Sequence, residues 1–334
     1  MPYVFEMRND AEQVIFDMTR NGGNILGTLT VTGTTSGWQE IDLSSVLPPR
    51  CVPWIILSQL GSPGASDGEA YTETTANKVR YNIGATAPSN QTRIVYGFYG
   101  QGAGTSSLPS GWQVTLLNDN DAYSIGDRFP VWGLVGRGQV SGTGRTTKTV
   151  TFTGGQYPLM AVKPNGCNAA VEQLAYNSST NTWTFTIGIY YPESGSWTVD
   201  WYIYDKTPTA KSTGWIFEIY DAAENVLVSS KYPPLAIVAP FNPGVSNFPA
   251  TQNFASGRSY AILATPRPYY FQSVETIEND SGVIIGTQVT TLAGGWAISG
   301  GDITRARYSH NGWDTMMTFD RAPATIMVID VTNL

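Results

Sequence analysis

The chain writes one strand–turn–strand unit twice. "VFEMRNDAEQVIFD" (4–17) and "IFEIYDAAENVLVS" (216–229) lie 212 positions apart, and five of the thirteen pairs from Val4/Ile216 to Phe16/Val228 are identical. A repeat of this kind constrains the fold more than any single motif, because both copies must find equivalent settings in one structure. In the first copy Tyr3, Phe5 and Met7 alternate with Val4, Glu6 and Arg8. A polar Asn9-Asp10-Ala11-Glu12 follows, and then Val14, Phe16 and Met18 alternate with Ile15 and Asp17. The second copy repeats the pattern with Trp215, Phe217 and Ile219, a turn over 221–225, then Val226 and Val228. Period two through both arms predicts two β-hairpins, with Phe5, Glu6, Val14, Phe16, Phe217, Glu218 and Val226 at matching places.

A second pattern recurs three times: an apolar strand near a proline, a polar loop, then a set of paired strands. It begins at "CVPWIILSQL" (51–60), "QYPLMAVKPNG" (156–166) and "RSYAILATPRP" (258–268). In the middle copy Trp183, Phe185, Ile187 and Ile189 share one strand face with Thr182, Thr184 and Thr186 opposite. Trp197, Val199, Trp201 and Ile203 likewise oppose Thr198, Asp200, Tyr202 and Tyr204. Such alternation marks half-buried antiparallel sheet. No stretch carries a capped helical stripe. The expected fold is all-β, in tandem sandwich-like modules: an N-terminal hairpin at 1–30, modules at 31–132 and 133–213, and the second hairpin with a third module at 214–334. "GLVGRGQVSGTG" (133–144) reads as a flexible β-turn region. The Pro-rich "KYPPLAIVAPFNPGVSNFPATQ" (231–252) has too few polar residues for a free tether, so it is expected to lie against its own domain or a neighbouring subunit.

Composition narrows the functions. Only 13% of the 334 residues are charged, against roughly 25% in an average domain. A net charge of -7 and the lack of a basic cluster argue against nucleic-acid capture. No apolar run reaches the roughly 20 residues needed to cross a bilayer, so membrane insertion is not expected. MPYVFEMRND has no basic-then-apolar leader, which predicts synthesis in a cytoplasm.

The residues do not assemble into catalytic chemistry. His310 is the single histidine, in "RYSHNGWD", where Asn311-Gly312 suggests a hairpin turn. No Gly-x-Ser-x-Gly elbow accompanies it. Cys51 and Cys167 stand 116 residues apart in unlike surroundings, so no zinc set can be drawn. Gly136-x-Gly138 lacks the third glycine of a dinucleotide fingerprint, with Ser141 in its place. Asp119, Asp121 and Asp127 have the oxygen density that calcium needs but not the spacing of an EF-hand, and read as a solvated turn. The expectation is therefore no enzyme, no cofactor and no obligatory metal. Consecutive aromatics at Tyr269, Tyr270 and Phe271 are the candidates for surface recognition, since one strand cannot bury all three on a single face.

"YVFEMRNDAEQVIFDMTRNGGNILG", through Phe5, Asn9, Val14, Ile15, Phe16 and Asp17, resembles the N-terminal segment of minor tail and tail-tip proteins of long-tailed bacteriophages. The likeness covers some 25 residues. Ala11-Glu12 replaces a glycine often found in that turn, and the rest of the chain agrees only in style. The resemblance implies a virion structural protein of the tail, made in the host cytoplasm, that joins other tail proteins as a homo-oligomer, a trimer being favoured, and either supports or itself performs binding to a host-surface receptor. Two other classes fit the composition: a carbohydrate-binding protein, and a polysaccharide-degrading enzyme with two carboxylates in a cleft.

Overall fold

Alternating side chains and frequent turn formers give strands from end to end. The computed structural model describes residues 6–8, 14–17, 23–33, 35, 37–47, 51–60, 70–83, 91–100, 113–117, 122–126, 132–190, 195–206, 218–220, 224, 226–241, 251–254, 257–263, 270–278, 284–299, 302–313, 326–332 and 334. Among the described residues there is no helix, and the fold is all-β. The first stretch of chain forms β1 (Glu6–Arg8), β2 (Val14–Asp17), β3 (Gly23–Thr32), β4 (Gln39–Asp42), β5 (Cys51–Leu60), β6 (Ala70–Thr74), β7 (Lys78–Ile83) and β8 (Gln91–Gly100). The second forms β9 (Gln113–Leu117), β10 (Ala122–Gly126), β11 (Trp132–Thr143), β12 (Thr146–Thr153), β13 (Leu159–Asn165), β14 (Asn168–Asn177), β15 (Thr182–Tyr190) and β16 (Ser196–Lys206). The third forms β17 (Glu218–Tyr220), β18 (Val226–Ser229), β19 (Ile237–Phe241), β20 (Thr251–Asn253), β21 (Tyr260–Leu263), β22 (Tyr270–Glu278), β23 (Ile284–Ser299), β24 (Asp302–Trp313) and β25 (Ile326–Asp330).

The three stretches share one plan. Each opens with a two-stranded hairpin: β1-β2, β9-β10 and β17-β18. Each then builds an antiparallel trio in the same order: β3-β8-β5, β11-β16-β13 and β19-β25-β21. Their registers coincide. Ile25, Leu134 and Ile237 lie opposite Gly97, Tyr204 and Ile329. Those three in turn face Trp54, Leu159 and Ala261 on the third strand. A β-bulge interrupts each first strand at the same point, between Ile25 and Gly27, Leu134 and Gly136, and Ile237 and Ala239. These positions are separated by steps of 109 and 103 residues, which together make the 212-residue interval of the hairpins. A second set of strands also follows one order, β4-β7-β6 and β12-β15-β14, with β20-β24-β23 in the third stretch and β22 added on β23.

The two faces of each trio explain its alternating sequence. One face of the first trio packs Ile55, Leu57 and Ile94 with Val79, Tyr81 and Ile83 of β7. One face of the second packs Met160, Val162, Val199 and Ile203 with Val150, Phe185 and Ile187. The opposite faces meet in one central core. It holds Ile25, Trp54, Ile56 and Val95 from the first trio, Leu134, Leu159, Tyr202 and Tyr204 from the second, and Ile237, Leu263, Met327 and Ile329 from the third. Burying apolar surface on both sides of a sheet is the dominant stabilising term in such a fold.

Sheets also continue from one stretch into the next. β13 pairs with β21 at Ala161↔Leu263 and Val162↔Ile262. The start of β11 bonds to the lead-in of β19, with Leu134 N–H to Pro233 O at 2.9 Å and Leu235 N–H to Trp132 O at 2.8 Å. Single residue pairs join β14 to β5 and to β23.

Four sequence expectations change or sharpen here. Residues 132–143 are a long strand, not a flexible turn region. Their glycines fit a strand because a Cβ at Gly142 would come within 2.7 Å of the Trp197 ring, and one at Gly138 would collide with Trp201. Asn311-Gly312 is not a turn either: His310, Asn311 and Gly312 lie within β24, opposite Thr291, Thr290 and Val289. β16 is buried on both faces toward its end, since Tyr202 and Tyr204 enter the central core. The described part of the Pro-rich stretch lies against the chain's own core, with Leu235 and Ile237 fully buried.

Candidate assembly surfaces

The repeated hairpins pair in one register. Glu6, Met7 and Arg8 face Asp17, Phe16 and Val14, and Glu218, Ile219 and Tyr220 face Ser229, Val228 and Val226. Both carry a bulge at the same step, Met7/Arg8 and Ile219/Tyr220. A bulge tightens the local twist and bends the strand, and it falls at the same step of the ladder in both hairpins. In the second copy Val226 and Val228 are 3% and 4% exposed and Ser229 is fully buried, so that hairpin is already seated on its own chain. The Tyr220 hydroxyl donates to the Glu218 carboxylate. Phe5 and Phe217 lie outside the described residues, and for Glu6, Val14 and Phe16 strand and register are fixed without side-chain detail.

The sequence reading missed a third hairpin. β9-β10 occupies the same place before β11 that β1-β2 and β17-β18 hold before β3 and β19. It closes more tightly, with Leu117 opposite Ala122, and has no bulge, so its sequence diverges most where the other two agree. The signal that could have found it is Gly111-Trp112, which recurs 103 residues later as Gly214-Trp215.

Of the proposed recognition aromatics, Tyr270 and Phe271 fall in β22 opposite Ala293 and Leu292. Tyr269 lies outside the described residues, as do Asp119, Asp121 and Asp127. Among the described residues no three His, Cys, Asp or Glu gather as metal ligands. Cys51 and Cys167 are free thiols, and burial pushes them up to about 12 and about 11.

A buried charged junction links the first stretch to the second. Arg93 on β8, 2% exposed, donates from Nη2 to Pro158 O at 2.8 Å and lies 5.1 Å from the centre of the Trp183 ring. Its Nε and Nη1 find no acceptor among the described residues. Burial lowers its pKa to about 10, against the opposing field of Asp205. Asp205, 1% exposed, accepts the backbone N–H groups of Gln156, Tyr157 and Lys206 at 2.9, 3.1 and 2.7 Å. Burial nevertheless raises its pKa, with those hydrogen bonds and Arg93 working against the shift. Through Pro158 O and the three backbone N–H groups, the pair ties β8 of the first stretch to the loop before β13 and to the end of β16.

The outer faces of the β4-β7-β6 and β12-β15-β14 sheets differ in charge. On the first, Glu40 pairs with Lys78 at 2.6 Å and with Arg80 at 3.4 Å. On the second, exposed Thr147, Thr149, Thr151 and Thr153 stand beside Gly188, Thr186, Thr184 and Thr182, and the Glu172 carboxylate of β14 lies over Gly188. No protein-family model matches this chain, and no match is found among curated proteins or solved structures.

Proposed function

We propose that this chain is a non-catalytic structural protein of the tail tip of a long-tailed bacteriophage, fastening tail proteins to one another and contributing to contact with the host surface. The observation that carries the reading is the opening hairpin, whose sequence resembles tail-tip proteins and whose register and bulge recur 212 residues later. A hairpin is marginal alone and gains stability by docking on another sheet. The second hairpin buries Val226 and Val228 on a sheet of its own chain, and the first finds the equivalent setting on a sheet of a neighbour, in a homo-oligomer for which a trimer is favoured. The low charged fraction of 13% suits burial in subunit contacts. Tyr269, Tyr270 and Phe271 are the residues proposed to meet the host or an adjoining tail protein.

Phe5→Asp with Phe16→Asp tests the reading, because a charge buried at a docked face costs several kcal/mol. The variant should keep the strand signal of the parent in circular dichroism and fail to enter virions. A parent chain absent from purified particles, or a folded variant incorporated as efficiently as the parent, would overturn the proposal.

A further inference from the structure

The sequence holds three Asn-Gly pairs, Asn21-Gly22, Asn165-Gly166 and Asn311-Gly312, and the fold treats two of them in opposite ways. Asn311 and Gly312 lie inside β24, opposite Thr290 and Val289, with paired residues on either side. Asn165 is instead the last residue of β13, and Gly166 follows it out of the strand with φ at +71°. Both are exposed. Here the chain crosses from the sheet of β13 and β16 to that of β14 and β15, and the ladder ends at Asn165↔Thr198. No hydrogen bond among the described residues engages the Asn165 side-chain amide or the Gly166 N–H. Asn21-Gly22 lies outside the described residues.

We propose that Asn165-Gly166 is a site of self-modification, at which the Asn165 amide is converted through a cyclic imide to aspartate and isoaspartate. The Gly166 nitrogen, once it gives its proton to a solvent base, forms a bond to Asn165 Cγ. The bond from Cγ to the side-chain nitrogen breaks, and ammonia leaves. Water then opens the five-membered ring. Cleavage at Cγ leaves an ordinary aspartate, whereas cleavage at the main-chain carbonyl leaves Gly166 attached through Cγ and adds one methylene to the backbone. Glycine hinders the attack least, having no side chain on the carbon next to the attacking nitrogen. Ring closure also needs the asparagine ψ to leave the extended value of about +135°. A residue at the end of a strand can make that rotation, but one inside a ladder must first break its pairing. The product carries a new carboxylate opposite Thr198, where the chain passes between the two sheets.

Incubation of the folded protein at mildly alkaline pH, followed by proteolysis and mass spectrometry, tests the site. The peptide that spans Asn165 should gain the mass difference between an amide and an acid and separate into two products of equal mass. The peptide that spans Asn311 should lag by about tenfold or more, because its strand must open first. In urea both should convert. Asn165→Gln should abolish the early conversion, because glutamine has to close a six-membered ring. An Asn165 peptide that stays intact while the urea-unfolded chain converts would overturn the proposal. So would equal rates at the two sites in the folded protein, or a single product, since direct hydrolysis gives aspartate alone and forms no cyclic imide. Every readout is on the isolated chain, so failure here leaves the tail-tip reading to its own test.

Discussion

Trp54→Ala should loosen all three stretches of the chain, not only the one that contains it. Trp54 is fully buried on β5 and belongs to the core that also holds Tyr204 from the second stretch and Leu263 and Met327 from the third. Truncating a buried tryptophan to alanine costs about 3–5 kcal/mol in lost transfer energy and residual cavity. Each 1.4 kcal/mol is a factor of about ten in an equilibrium constant. Amide exchange that proceeds through opening of the shared core should therefore accelerate by a hundredfold to a few thousandfold. Hydrogen exchange followed by mass spectrometry reads this peptide by peptide. Protection should fall together in strands β5 and β8, in β13 and β16, and in β21 and β25. Trp54→Phe should cost far less, because the indole N–H has no acceptor among the described residues and its loss strands no partner. Faster exchange confined to residues 23–100, with the second and third stretches unchanged, would refute the shared core.

Three further outcomes follow from individual groups. Gly155→Ala should destabilise by about 2–4 kcal/mol in urea unfolding, since φ is +82° there and a Cβ would strike the Asp205 carboxylate and approach Phe152 Cε1 to 2.8 Å. Asp205 has a folded pKa raised above 3.8, so its contribution to stability is present in acid and is lost as pH rises through the folded value; Asp205→Asn should remove that descending limb from a plot of unfolding free energy against pH. Cys51, partly buried and pushed up to about 12, should react with iodoacetamide at pH 8 roughly thirty- to sixtyfold more slowly than a free thiol, its smaller thiolate fraction being partly offset by the greater nucleophilicity of that thiolate, and labelling as fast as a free thiol would contradict the shift.

Period-two alternation made the strands legible, and the Trp183-to-Ile189 face was readable because each of its apolar residues is buried within its own stretch. The central core was not, because it is assembled by non-local packing: Tyr202 and Tyr204 sit on the polar-looking side of β16 and join a core shared with Trp54 and Ile56 of the first stretch and Met327 and Ile329 of the third. Glycine in β11 misled the reading for a related reason, as the indole rings that fill the space above Gly138 and Gly142 come from β16, about sixty residues away. Of the candidate surface, the two hairpins were found through their identities, while the third was hidden by a shorter turn and a missing bulge. Arg93 gave no signal at all, since its acceptor Pro158 and its neighbour Trp183 are distant in sequence.

The most direct measurement of the central claim is an image of the assembled phage particle at a resolution that traces this chain. The account predicts density for it at the tail tip, with the hairpin of Glu6–Asp17 laid against a sheet of a neighbouring subunit and the 218–229 hairpin seated on its own chain. A particle that lacks the chain, or one in which the first hairpin stands in solvent away from every neighbour, would contradict it.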